Sequence, residues 1–145
     1  MPGTFEIGAM PIPALSVVLE AAGEIAEAAR SVYDAWDQGA DGFDEELGAG
    51  GICQDVAAAT VEVLARKGVE HACQVHAAVG ENHVFVVALL DDGVYSVDIP
   101  PWVYETGGGY VWKKRQDAQF LPESVGVERI GGFLDPEEFE RTYLD

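Results

Sequence analysis

The hydrophobic period of this chain changes near Val69. Before it, apolar residues recur at three- and four-residue steps. After it they come in short runs of strand length. From Ala14 to Asp37 the positions Leu15, Val18, Ala22, Ile25, Ala29 and Val32 fall on one stripe, with acidic residues opposite. That spacing predicts one long helix, entered after Pro11 and Pro13. A second helix is predicted over Cys53 to Lys67. Its buried stripe is Val56, Thr60, Val63 and Leu64, Gly68 stands past its end, and Arg66 and Lys67 lie in the last turn, where the helix dipole favours cations. Predicted strands follow at Glu70–Val79, His83–Leu90 and Val94–Ile99, then at Tyr110–Lys114 and Val125–Ile130. Pro100-Pro101 stops the third of them. Asp135 as N-cap and Pro136 at the first helical position open a short final helix. Helices first and an antiparallel sheet after make the class α+β.

At 145 residues the chain fits one domain, read as residues 1–50, 51–101 and 102–145 in succession: a helical segment with an acidic Gly-rich loop, a helix with a hairpin, and the completion of the sheet with a last helix. Apolar residues make up 48%, enough to fill one core. Eight Lys+Arg against 26 Asp+Glu give a net charge of −18, which excludes nucleic acid and anionic membrane as main partners. Small molecules, basic peptides and protein surfaces stay open. No run approaches the roughly 20 apolar residues of a membrane span. The N-terminus has no basic region ahead of its apolar residues, so a cytoplasmic location is expected, with export by a route lacking a cleavable signal left open. Two cysteines do not make a disulfide scaffold.

Cys53 follows Gly50-Gly51-Ile52 and starts an apolar helix. Unpaired N–H groups and the positive helix end favour a thiolate there, and glycines allow a substrate to approach the backbone. His83 opens the strand His83–Leu90, and Asp98 ends the return strand Val94–Asp98. Nucleophile, base and orienting acceptor are the parts that acyl transfer needs. A two-residue turn at Asp92-Gly93 pairs Asp91 with Val94 and Val87 with Asp98. His83 and Asp98 then share a face but are offset by four residues, roughly 13 Å along the strand. A longer loop or a bulge is needed to close that gap. Few cations are at hand to support a thiolate, so most of the acid is expected away from the cleft.

The segment Gly51-Ile52-Cys53-Gln54-Asp55-Val56-Ala57, with Leu64, Arg66, Gly68 and Val69 after it, resembles the nucleophile helix of the transglutaminase-like proteins in the papain-like superfamily. Asn82-His83-Val84-Phe85-Val86 is similar to that family's His strand, and Tyr95-Ser96-Val97-Asp98-Ile99-Pro100 to its Asp strand. The order Cys, His, Asp matches, as does the 15-residue step from His83 to Asp98. Phe85 stands where the family usually has Trp, the Cys53–His83 spacing is short, and no side chain matches an oxyanion donor. The resemblance implies a nucleophile-bearing helix packed on an antiparallel sheet. It also implies a cysteine-dependent hydrolase or acyltransferase acting on an amide or acyl bond through Cys53, His83 and Asp98, with no metal or cofactor. The expected substrate is a peptide, a protein or a small acyl compound, a basic one being favoured by the acidic surface.

Gly51, Gln54 and Trp102 are the candidate substrate-binding residues. Gly51 leaves room at the thiol, and the backbone N–H of Cys53, with Gln54 or a residue of the Gly48–Gly51 loop, faces a developing oxyanion. Trp102, with Tyr104, Tyr110 and Trp112, edges Gly107-Gly108-Gly109. That stretch is either a long β-loop with core aromatics or a loop overhanging the cleft. His71, Cys73 and His76 do not make a metal site, because His76 falls on the other face of a strand. Lys113-Lys114-Arg115 neutralises nearby carboxylates or docks an acidic group. Two further classes stay open. One is a binding module that keeps the fold without turnover. The other is an assembly protein using the first helix as a dimer seam, and the oligomeric state is not fixed by the sequence.

Overall fold

The change of period near Val69 is where the elements change. A computed structural model describes residues 11–37, 52–76, 83–108 and 111–144. Helices come first: α1 (Leu15–Glu20), α2 (Ala22–Ala35) and α3 (Cys53–Arg66). The acidic Gly-rich loop of Gly39 to Gly51, with the candidate residue Gly51, lies outside the described residues, as does the far end of the first predicted strand.

Two helices stand where the stripe predicts one. Between them Ala21 takes φ −84° and ψ −6°, and its N–H is shared between the carbonyls of Val17 and Val18, at 3.1 and 3.0 Å. The winding tightens for one residue and resumes, since the N–H of Ile25 still reaches Ala21 O at 2.9 Å. The buried face runs through the break unchanged, with Val18, Ile25, Ala26 and Ala29 all in the core. Hydrophobic spacing reports that face and is blind to a one-residue tightening.

α3 ends as its sequence predicts. Gly68 has φ +91°, its N–H bonds Ala65 O at 3.1 Å, and the N–H of Val69 bonds Leu64 O at 2.9 Å. Those two bonds are a Schellman motif, and Val69 and Leu64 are both buried beneath it. The strands β1 (Ala72–His76), β2 (Val84–Leu90), β3 (Gly93–Asp98) and β6 (Gly126–Gly131) form one antiparallel sheet in the order β1-β2-β3-β6. A separate two-stranded ribbon is made by β4 (Glu105–Gly108) and β5 (Val111–Lys114). Gly107 and Gly108 are thus part of a strand. The last helix, α4 (Pro136–Tyr143), is capped by Asp135, whose side chain accepts the N–H of Glu138 at 2.9 Å.

α2 and α3 cover one face of the sheet, where Val86, Ala88, Leu90, Tyr95, Val97 and Ile99 are buried with them. α4 covers the other, where Phe139 packs with Val87, Leu89 and Val94. With both faces covered, β2 needs apolar side chains on both, which explains its unbroken sequence VFVVALL.

The hairpin register differs from the expected one. Leu90 pairs with Gly93 and Val86 with Val97, so the turn residues are Asp91 and Asp92. Gly93 is therefore the first strand residue. A Cβ on it would lie 2.6 Å from the carbonyl oxygen of Gly131 and 2.7 Å from Arg129 Nε. The glycine serves the close approach of β6, and the two aspartates make the turn.

Candidate active site

That one-residue displacement of the turn closes the gap between base and acceptor. Continued by one pair, the observed register sets Asp98 level with Phe85. His83 is then two residues along from Asp98, roughly 7 Å, within diagonal reach of side chains on one face. No bulge or longer loop is needed. His83 Nε2 and Asp98 Oδ2 are 3.0 Å apart, with side chains 17% and 27% exposed. His83 lies one residue before β2, so its ring is not held to the row of Phe85, Val87 and Leu89. The Phe85 ring stacks beside it at 6.2 Å with an interplanar angle of 22°.

Cys53 is the first residue of α3 and partly buried. Its thiol interacts with the His83 ring, and that contact acts on the ring's titration. The His83 pKa is raised to about 10, first by the hydrogen bond to Asp98, then by that to Cys53, with the negative charges of both adding to the effect and burial opposing it. Nε2 is taken by Asp98. Nδ1 is buried and has no partner at full hydrogen-bond geometry. Cys53, His83 and Asp98 are thus brought together from α3, the start of β2 and the end of β3.

The remaining candidates are spread around this centre. Gln54 is exposed in the first turn of α3. Trp102 is 68% exposed. It lines a groove of about 540 Å³ with Pro100, Val103, Arg115, Leu121 and Gly126. That groove lies at the Asp98 end of β3, because Gly126 pairs with Asp98. Cys73 is buried on the α4 side, and burial pushes its thiol pKa up. No cluster that could hold a metal ion occurs among the described residues. Among the same residues no helix is long and apolar enough to cross a membrane. In the basic cluster, Lys114 Nζ sits 4.8 Å over the Tyr33 ring. Arg115 bonds Asp117 at 2.7 Å and the carbonyl of Trp102 at 2.8 Å.

Glu105 is a residue of the site that the sequence does not announce, and Tyr104 reads there only as an aromatic edging the Gly107–Gly109 stretch. Tyr104 is fully buried and Glu105 is 7% exposed. The Glu105 carboxylate accepts the backbone N–H of Ile52, the residue before Cys53. Its pKa is raised to about 7 by burial, against the opposing pull of the His83 charge and that hydrogen bond. The Tyr104 hydroxyl lies within the electrostatic reach of Glu105, Cys53 and Asp98, and burial holds it protonated. The expectation that acid lies away from the thiol is met only in part. Glu105 stands close by, and its raised pKa mutes its charge at neutral pH. The available signal was a single carboxylate directly after the apolar run Trp102-Val103-Tyr104, in a stretch that reads as loop.

No family model, curated protein or solved structure matches this chain.

Proposed function

We propose that the chain is a cysteine-dependent hydrolase or acyltransferase of transglutaminase-like fold, with Cys53 as nucleophile, His83 as acid–base and Asp98 as orienting acceptor. The observation that carries this reading is the chain of contacts from Asp98 through His83 to Cys53 at a helix start. Asp98 accepts from Nε2, which fixes the ring's orientation, and in this reading Nδ1 is the nitrogen that takes the thiol proton. The proton given up by Cys53 resides on His83, as the raised pKa of the ring favours. The thiolate attacks the carbonyl carbon of an amide or acyl substrate and forms a C–S bond. The tetrahedral oxyanion is met by the N–H of Cys53. Cys53 is the first residue of α3, where backbone N–H groups point out of the helix start. His83 returns its proton to the leaving group as the C–N or C–O bond breaks. Water or an amine then attacks the thioester, giving its proton to His83, and the thiolate departs.

The groove beside Trp102 is the surface on which an acyl chain or peptide rests in this reading. The net charge of −18 favours a basic substrate by long-range steering. Site-resolved alkylation tests the assignment. Iodoacetamide modifies Cys53 at least about tenfold faster than the buried Cys73 in native protein, and His83→Ala slows Cys53 to the rate of an ordinary exposed thiol. Equal rates at both cysteines, or no response to His83→Ala, contradict the catalytic assignment and leave the inactive binding module.

A further inference from the structure

The triad accounts for three of the titratable groups gathered at the start of α3. Glu105 is a fourth, and an acyl-transfer site does not by itself require it. It is carried by β4, outside the main sheet, yet its side chain is almost wholly removed from water. One carboxylate oxygen accepts the N–H of Ile52, and Oε2 is buried with no hydrogen-bond partner. Burying a carboxyl with one oxygen unsatisfied costs stability. It is retained beside the residue that precedes the nucleophile.

Among the described residues, the groups near it come from several elements. Cys53 is on α3, His83 and Asp98 are at the ends of β2 and β3, Tyr104 is its chain neighbour, and Lys114 is its cross-strand partner on β5. Of these, His83 is the one whose charge acts on Glu105. The Lys114 ammonium is directed at the Tyr33 ring.

We propose that Glu105 is a positioning residue for the Cys53–His83 pair. Its carboxyl ties β4 to the backbone of Ile52 and so sets where α3 begins, and its negative charge, when present, reinforces the imidazolium of His83. This inference rests on the proposed triad for its importance to chemistry, but its two parts are measurable without a substrate. Tying Ile52 needs an acceptor oxygen and no charge, whereas supporting the imidazolium needs the charge. Glu105→Gln keeps the first and removes the second. Glu105→Ala removes both.

Two readouts on the full chain test it. In the first, ring resonances of His83 are followed by NMR against pH. Glu105→Gln shifts the loss of the ring proton to lower pH than in the wild type. In the second, alkylation of Cys53 is timed at pH 6, where Glu105 is mostly protonated. Glu105→Gln reacts within about twofold of the wild type, and Glu105→Ala is slowed by roughly tenfold or more, because a small misplacement of a reacting group is costly. An unchanged His83 titration in Glu105→Gln overturns the charge role. Equal alkylation rates in the wild type and Glu105→Ala overturn the positioning role, and where Glu105→Ala does not fold, Glu105→Met, which keeps the side-chain volume and removes the acceptor oxygens, is read by the same criterion. His83→Ala separates this from failure of the triad. If it leaves Cys53 alkylation unchanged, the triad falls. If it slows alkylation while both Glu105 variants behave as wild type, only the role of Glu105 falls.

Discussion

At the scale of single residues, the site is a set of groups that pull one another's titration in opposite senses, and stability follows with a definite sign. His83 has its folded-state pKa raised to about 10. Its interaction with Asp98 therefore stabilises the fold in full below the unfolded value near 6.5 and is lost as pH rises toward 10. Asp98→Asn is expected to lower the urea midpoint most at pH 6, with the difference from wild type shrinking steadily toward pH 10. Glu105 runs the other way. Its folded-state pKa of about 7 lies above its ordinary value, so ionisation opposes folding. The penalty is absent below about pH 4.5 and complete above about pH 7. Glu105→Gln is expected to stabilise the protein by about 1–3 kcal/mol at pH 8 and by almost nothing at pH 4, measured by urea unfolding at both. A stabilising effect that is the same at both pH values would show that packing, and not charge, sets the penalty.

At the scale of elements, Gly68 and Gly93 both have positive φ but differ in what they serve. Gly68 has φ +91°, and a Cβ added to it would meet open space. Gly68→Ala is expected to cost about 1 kcal/mol, the backbone strain alone. Gly93→Ala must also displace the carbonyl of Gly131 and the Arg129 side chain. It is expected to cost more, about 2–4 kcal/mol, and to loosen the hairpin that aligns Asp98 with His83. Thermal and urea unfolding of the two variants side by side check the order. The elements themselves were largely legible. The Cys53 helix, its Gly68 ending, the strands from His83 and from Val94, and the Asp135 cap all follow from period and capping chemistry. The hairpin register was not, because Asp92-Gly93 reads as the turn, whereas Asp91 and Asp92 make it. What the local sequence lacks is the approach of β6, more than thirty residues later, to the backbone of Gly93. Glu105 was illegible for a similar reason. Its burial comes from the fold of β4 against the start of α3, and local sequence carries no trace of that contact.

At the scale of the whole molecule, the charge of −18 is spread over a chain with eight Lys and Arg. Several of these pair with carboxylates at the surface, as Arg30 does with Asp34 at 3.1 Å, Arg66 with Glu62 at 3.4 Å, and Lys67 with Glu24. Such exposed pairs contribute little each, and the excess of acid repels itself. Raising NaCl from low salt to about 0.5 M is expected to raise the melting temperature, because screening relieves that repulsion within a Debye length of a few ångströms. A melting temperature that falls with salt would mean that the surface pairs outweigh the excess charge. The acid excess also sharpens what the site must supply for itself. His83, held protonated by Asp98, is a cation beside the thiol, and the start of α3 adds its N–H groups. The most direct measurement of the central claim is the capture of an acyl group on Cys53. Native protein is mixed with an activated ester such as p-nitrophenyl acetate, and peptides are read by mass spectrometry as p-nitrophenolate is released. A thioester on Cys53 that forms in a burst, then decays, and is slowed by His83→Ala is the predicted result. Release of p-nitrophenolate at the same rate from Cys53→Ala, with no acyl group on Cys53 of the wild type, would contradict the account.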